Sequence, residues 1–131
     1  MNNSTSLVIE SVFETSNKGT IHFGEVIQQL MSVQVEAYFV DYRSGRSTYF
    51  LPNDETLDLS FEKPNQKITE DFQGDSIRSI ILDAQKGKVM YPEFKQLSQT
   101  AGCIGYMVWI TGQHVTYYGR KGETHVERFP D

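Results

Sequence analysis

Apolar residues recur along this chain at two periods, and the succession of periods occurs twice. Between Leu7 and Thr15, Val8, Ile9, Val12 and Phe13 fall three and four apart, the spacing of one buried helical stripe. A second helix is expected from Gly24 to Val33. The pattern then changes to aromatic and β-branched runs, Tyr38 to Tyr42 and Tyr49 to Leu51 around the turn Arg43-Ser44-Gly45, and a third run from Thr56 to Phe61. The same succession returns downstream. Ile77, Ile80 and Ile81 mark a helix over Ile77 to Ala84, and Pro92 to Thr100 a second one. Strands are expected at Ile104 to Ile110 and Gln113 to Gly119 around Thr111-Gly112, and at Glu123 to Phe129. The punctuation agrees: Asp75-Ser76 offers N-cap chemistry, Pro92 suits a first helical turn, and Gly19 and Gly87 suit the left-handed residue after a helix.

The two halves align without a gap at an offset of 68, residues 7–63 against 75–131. Thirteen positions are then identical, among them Tyr38/Tyr106, Val40/Val108, Thr48/Thr116, Tyr49/Tyr117 and Phe61/Phe129. Chance pairing at ordinary composition gives about three or four. The expectation is one domain of two repeats joined by the polar segment 62–74. Its fold class is α+β: internally duplicated helix–helix–hairpin–strand units forming antiparallel sheet with helices on one face. Whether the units share one sheet is open at this point.

Strand alternation assigns faces. A tight loop at Thr111-Gly112 sets Val108 against Val115 and Tyr106 against Tyr117. A two-residue loop at Lys121-Gly122 sets Tyr117 against Val126 and Tyr118 against His125. One face then carries Ile104, Tyr106, Val108, Val115, Tyr117 and Val126 and is expected to be core. The other carries Met107, Trp109, His114, Thr116, Tyr118, His125, Glu127 and Phe129, too apolar for free solvent and too polar for a dry core. In the first repeat the matching positions on this second face are Phe39, Asp41, Arg46, Thr48, Phe50, Leu57, Leu59 and Phe61, with Asp41 expected opposite Arg46. A slip of one residue would exchange the faces.

Composition narrows the options. The 131 residues carry a net charge of −5, with no run of Lys or Arg beyond Arg120-Lys121, which argues against a phosphate-tracking surface and hence nucleic acid. No apolar stretch approaches a membrane span, and Met1 to Ser6 lacks a basic, apolar secretory start, so the expected location is the cytoplasm. The single Cys103, among small and apolar neighbours, reads as a buried hydrophobe rather than a nucleophile. Gly119-Arg120-Lys121-Gly122 lacks the spacing of a phosphate loop and reads as a hairpin turn. His22 opens a helix and reads as surface or cap.

The residues with most chemistry are His114, His125 and Glu127. On one face they would offer two imidazoles and a carboxylate, a set that iron or zinc uses, and His125 with Glu127 could act as an acid–base pair. The competing reading is a polar strand face in which a histidine stacks on Trp109. Alternate residues of one strand are also far apart for a single metal, so no metal and no cofactor are expected.

The segments "KGKVMYPEFKQLSQTAGCIGYMV" and "VTYYGRKGETHVERFP" resemble an uncharacterised bacterial family whose members are often labelled phage-envelope-like proteins of unknown function. The resemblance covers most of the chain and is most specific in the closing Tyr-x-Gly-x-x-Gly, His-Val-Glu and Phe-Pro pattern. It implies no catalytic residues. Two readings stand: a small non-enzymatic binding or interaction module whose Trp109, Met107, Tyr118 and Phe129 face meets a protein, a second copy or a small apolar molecule; or a small hydrolase or metal-dependent enzyme using His114, His125 and Glu127.

Overall fold

In the computed structural model, which describes residues 1–130, the chain runs α1 (Asn3–Lys18), α2 (Phe23–Ser32), β1 (Ala37–Asp41), β2 (Arg46–Phe50), β3 (Thr56–Ser60), α3 (Gly74–Gln85), α4 (Tyr91–Thr100), β4 (Gly105–Trp109), β5 (His114–Tyr118) and β6 (Thr124–Arg128). The helix–helix–three-strand unit occurs twice, and all six strands form one antiparallel sheet in the order β3-β2-β1-β4-β5-β6. Adding 68 to the bounds of α2, β1, β2 and β3 gives those of α4, β4, β5 and β6. Asp131, the last residue of the second repeat, lies outside the described residues.

The units join through their first strands. In the β1–β4 ladder Phe39 faces Met107, its own counterpart at the 68-residue offset, so the two halves are related about an axis through the sheet centre. Tyr38, Val40, Tyr49, Tyr106, Val108, Val115 and Tyr117 point to one face and are buried. Against them pack the apolar stripes of the helices: Ile9 and Val12, then Val26, Ile27 and Leu30, then Ile77 and Ile81, then Phe94. The other sheet face has no helix over it.

Several boundaries differ from expectation for local reasons. Helix α1 begins at Asn3, because the Asn2 side chain caps it by accepting the Thr5 N–H at 2.8 Å. Strand β2 begins at Arg46, polar residues being held there by the ladder, with Arg46 opposite Asp41 as expected. Helix α3 begins at Gly74, which leaves Asp75 in its first turn rather than as its cap. Gly19 and Gly87 take the left-handed conformation foreseen for them.

The segment between the units is polar but docked. Ile68 is buried, the Thr69 N–H donates to Gln99 O, the Gln73 N–H donates to Ala101 O, and Arg120 donates to Ile68 O. Gly102 makes room for it: a Cβ there would stand 2.2 Å from Asp71 O. No described helix is long and apolar enough to cross a membrane.

Candidate functional site

The ladder between β4 and β5 has the expected register, with Val108 on Val115 and Tyr106 on Tyr117. The ladder between β5 and β6 does not. Tyr117 faces His125, Thr116 faces Val126 and Val115 faces Glu127. The cause is the loop. It holds three residues, Arg120, Lys121 and Gly122, with Gly122 at a left-handed φ of 82° and the Gly119 N–H donating to Glu123 O. Three-residue hairpin loops characteristically end on such a left-handed residue. One residue more in the loop moves every β6 side chain to the opposite face.

The expected set of polar residues is therefore split across the sheet. Met107, Trp109, His114, Thr116 and Tyr118 lie on the uncovered face, where the His114 and Trp109 rings are 6.2 Å apart and the Trp is 38% exposed. His125, Glu127 and Phe129 lie on the helix side, and Val126, expected in the core, is 56% exposed. Phe129 packs edge-on against Phe23 of α2, with centroids 5.7 Å apart. His114 cannot share a ligand with His125 and Glu127 through the thickness of the sheet. Among the described residues no three His, Cys, Asp or Glu side chains gather closely enough to hold a metal ion. His125 and Glu127 do meet, Nε2 to Oε1 at 3.1 Å.

On that helix side lies a cavity of about 100 Å³ between the helix layer and the second unit's strands. Its walls are apolar, from Ile21, Val26, Ile81, Val89 and Phe94. Tyrosine dominates its floor, from Tyr38, Tyr106 and Tyr117 on the strands. Phe23, Phe129 and Glu127 also line it and are more exposed than the tyrosines, as are His22 and Arg128. His22 ends up there because it begins α2, where its backbone N–H donates to the Glu25 carboxylate.

Two tyrosine hydroxyl pairs are closed, and three buried tyrosine hydroxyls are not, that of Tyr49 at the smaller chamber and those of Tyr38 and Tyr117. Tyr42 and Ser98 share a hydrogen bond of 2.8 Å, and Tyr106 donates to the Tyr91 hydroxyl at 2.6 Å. Tyr38 and Tyr117 are each only 6% exposed, and their hydroxyls make no hydrogen bond to another described residue. No described side-chain oxygen or nitrogen is both sealed off and without a partner, so these hydroxyls open onto free space, and both residues line the cavity. Burial pushes both phenol pKa values well up, and for Tyr117 the Cys103 thiol and the Glu127 carboxylate add to it. They stay protonated and can donate.

Cys103 is buried, its thiol 3.3 Å from Gly105 O, and burial pushes its pKa up to about 11. Such a thiol is a structural residue and a poor nucleophile at neutral pH.

The cavity was not legible in the strand patterns as read, although one signal pointed to it. The first repeat's Leu57, Leu59 and Phe61 alternate with Thr56, Asp58 and Ser60, which fixes their side as the core side. Their counterparts are His125, Glu127 and Phe129. A family model described as a protein of unknown function (DUF1398) matches residues 10–127, so the chain belongs to that family. That description does not mention phage envelopes. No curated protein matches the sequence.

Proposed function

We propose that this member of the DUF1398 family is a binding module that takes a small, mostly apolar molecule into the cavity between its helices and its second hairpin. The observation behind this reading is the pair of buried hydroxyls on Tyr38 and Tyr117, which face open space without a protein partner. A buried hydroxyl without a hydrogen bond costs about 1–3 kcal/mol, and a ligand oxygen or nitrogen, or a water, relieves that cost. Ligand sites combine apolar walls with a few such convergent polar groups. A volume of about 100 Å³ is smaller than the dry cavity of about 150 Å³ that holds benzene, so it suits a short chain better than a ring.

The uncovered sheet face supports a binding role less well. Its aromatic residues, Phe39, Met107, Trp109 and Tyr118, are interrupted by Asp41, Arg46 and Asp58 and form no enclosed space. The acid–base reading keeps only His125 and Glu127, without His114.

A fragment screen by ligand-observed NMR tests the binding reading. Small alkyl fragments should bind the native protein and perturb signals of Val89, Phe94 and Tyr117. Ala84→Phe, which fills the cavity from α3, should abolish that binding while the circular dichroism spectrum stays native. A screen without a hit that perturbs those residues would count against a cavity ligand.

A further inference from the structure

The 68-residue offset carries each ladder pair of the first unit onto a pair of the second, so every side chain around the large cavity has a counterpart in the other unit. At the corresponding place beside the first unit's strands sits a cation. Lys95 of α4 lays its Nζ over the Phe61 ring at 4.7 Å and the Tyr91 ring at 5.1 Å, and donates a hydrogen bond to Asn17 Oδ1 at 2.6 Å. Aromatic faces attract an ammonium group through the ring quadrupole, and a carbonyl oxygen completes its coordination.

Phe61, Tyr91 and Asn17 correspond to Phe129, Phe23 and Gln85, and all three counterparts line the large cavity. Among the exchanges between the units, two bear directly on the cation. Lys95 corresponds to Ile27, buried and uncharged, and Leu59 corresponds to Glu127. The place beside the first unit's strands is thus filled by the chain's own ammonium group, reaching over from α4. The place beside the second unit's strands has the apolar Ile27 of α2 at the matching position and instead presents Glu127, two residues before Phe129, whose ring packs on Phe23. The space differs in step: the chamber beside Asn17 is about 20 Å³, against about 100 Å³ in the second unit.

Glu127 is the one carboxylate among the described residues lining the large cavity. Its Oε1 meets His125, and its second oxygen has no partner among the described residues. Of the other polar groups lining the cavity, His22 is exposed at the start of α2. Arg128 is exposed on a strand position that points to the uncovered sheet face.

We propose that the second-unit cavity binds a small primary alkylamine as its ammonium ion, the charge lying against Phe23, Phe129 and Glu127 and the alkyl chain among Ile81, Val89 and Phe94. The ligand would do from outside what the chain's own Lys95 does at the matching place beside the first unit's strands. This rests on the binding reading above and names its ligand class.

The test compares n-butylammonium with 1-butanol, a neutral molecule of the same shape, in NMR titrations of the full chain. n-Butylammonium should bind about tenfold more tightly than 1-butanol, a difference of about 1.4 kcal/mol. Glu127→Gln should remove that preference and leave 1-butanol unchanged. Ile27→Lys, which places a lysine at the position matching Lys95, should exclude n-butylammonium by occupying the site itself. Equal binding of the two probes, or an unaltered preference in Glu127→Gln, would overturn the ammonium assignment while leaving a cavity ligand intact. If neither probe shifts signals of cavity residues, both readings fall. Should Glu127→Gln not fold, continued n-butylammonium binding in Ile27→Lys would overturn the assignment, and its loss would support it.

Discussion

At the level of single residues, burial of ionisable groups decides both reactivity and the response to pH. Cys103 and the tyrosines of the core hold their protons more tightly in the folded chain than in the unfolded one, and burial is the leading cause for each. With folded pKa values raised, their contribution to stability is fully present below the unfolded values and is lost as pH rises through the folded ones. Unfolded Cys ionises at about 8.5 and Tyr at about 10. Stability should therefore hold up to about pH 8 and decline through the alkaline range, with Cys103 alone accounting for roughly 3 kcal/mol between its unfolded pKa and about 11. Urea midpoints measured from pH 7 to 10.5 check this; a flat profile would contradict the buried tyrosine cluster. The same shift predicts slow alkylation. At pH 8 iodoacetamide should label native Cys103 at least about 100-fold more slowly than the urea-unfolded chain, the difference in thiolate fraction alone giving that factor.

At the level of elements, the sequence specifies the order of helices and strands well and the last register poorly. Helical stripes such as Ile77, Ile80 and Ile81 are legible because they must face one layer, and the two hairpins are legible because β-branched and aromatic runs flank turn residues. The β5–β6 register is not legible from the second unit alone. His125 and Glu127 look like solvent-facing residues and Val126 looks like core, whereas the extra residue in the Arg120-Lys121-Gly122 loop places them the other way. The first unit holds the missing information, because only core would take Leu57, Leu59 and Phe61 together. Polar residues on a core-facing strand are the kind of local inconsistency expected where a site interrupts the packing. Substitution separates the two registers. Val126→Lys should change stability by less than about 0.5 kcal/mol, as for an exposed position, while Tyr117→Ala should cost about 3 kcal/mol or more. A large loss for Val126→Lys in chemical denaturation would place Val126 back in the core and remove Glu127 from the cavity.

At the level of the whole molecule, the two units are built alike but are not independent. Their sheets meet edge to edge through β1 and β4, a full five-pair ladder without side-chain closure of either edge. Above it α1 packs on α4, and Lys95 of the second unit anchors in the first through Asn17 and Phe61. A unit released from its partner would expose β1 or β4 as a bare hydrogen-bonding edge together with the Tyr38 and Tyr106 surfaces, a state with no stable minimum in water. The units should accordingly unfold together. Trp109 offers a clean reporter, because the chain has one tryptophan and it stands on β4 in the second unit, while far-ultraviolet circular dichroism reads both units. In urea the two signals should give one transition with the same midpoint and slope. A fluorescence transition that precedes or trails the dichroism would mean that the central ladder does not couple the halves. The cavity would then belong to a unit able to open on its own, and ligand binding would stabilise only the tryptophan signal rather than the whole chain.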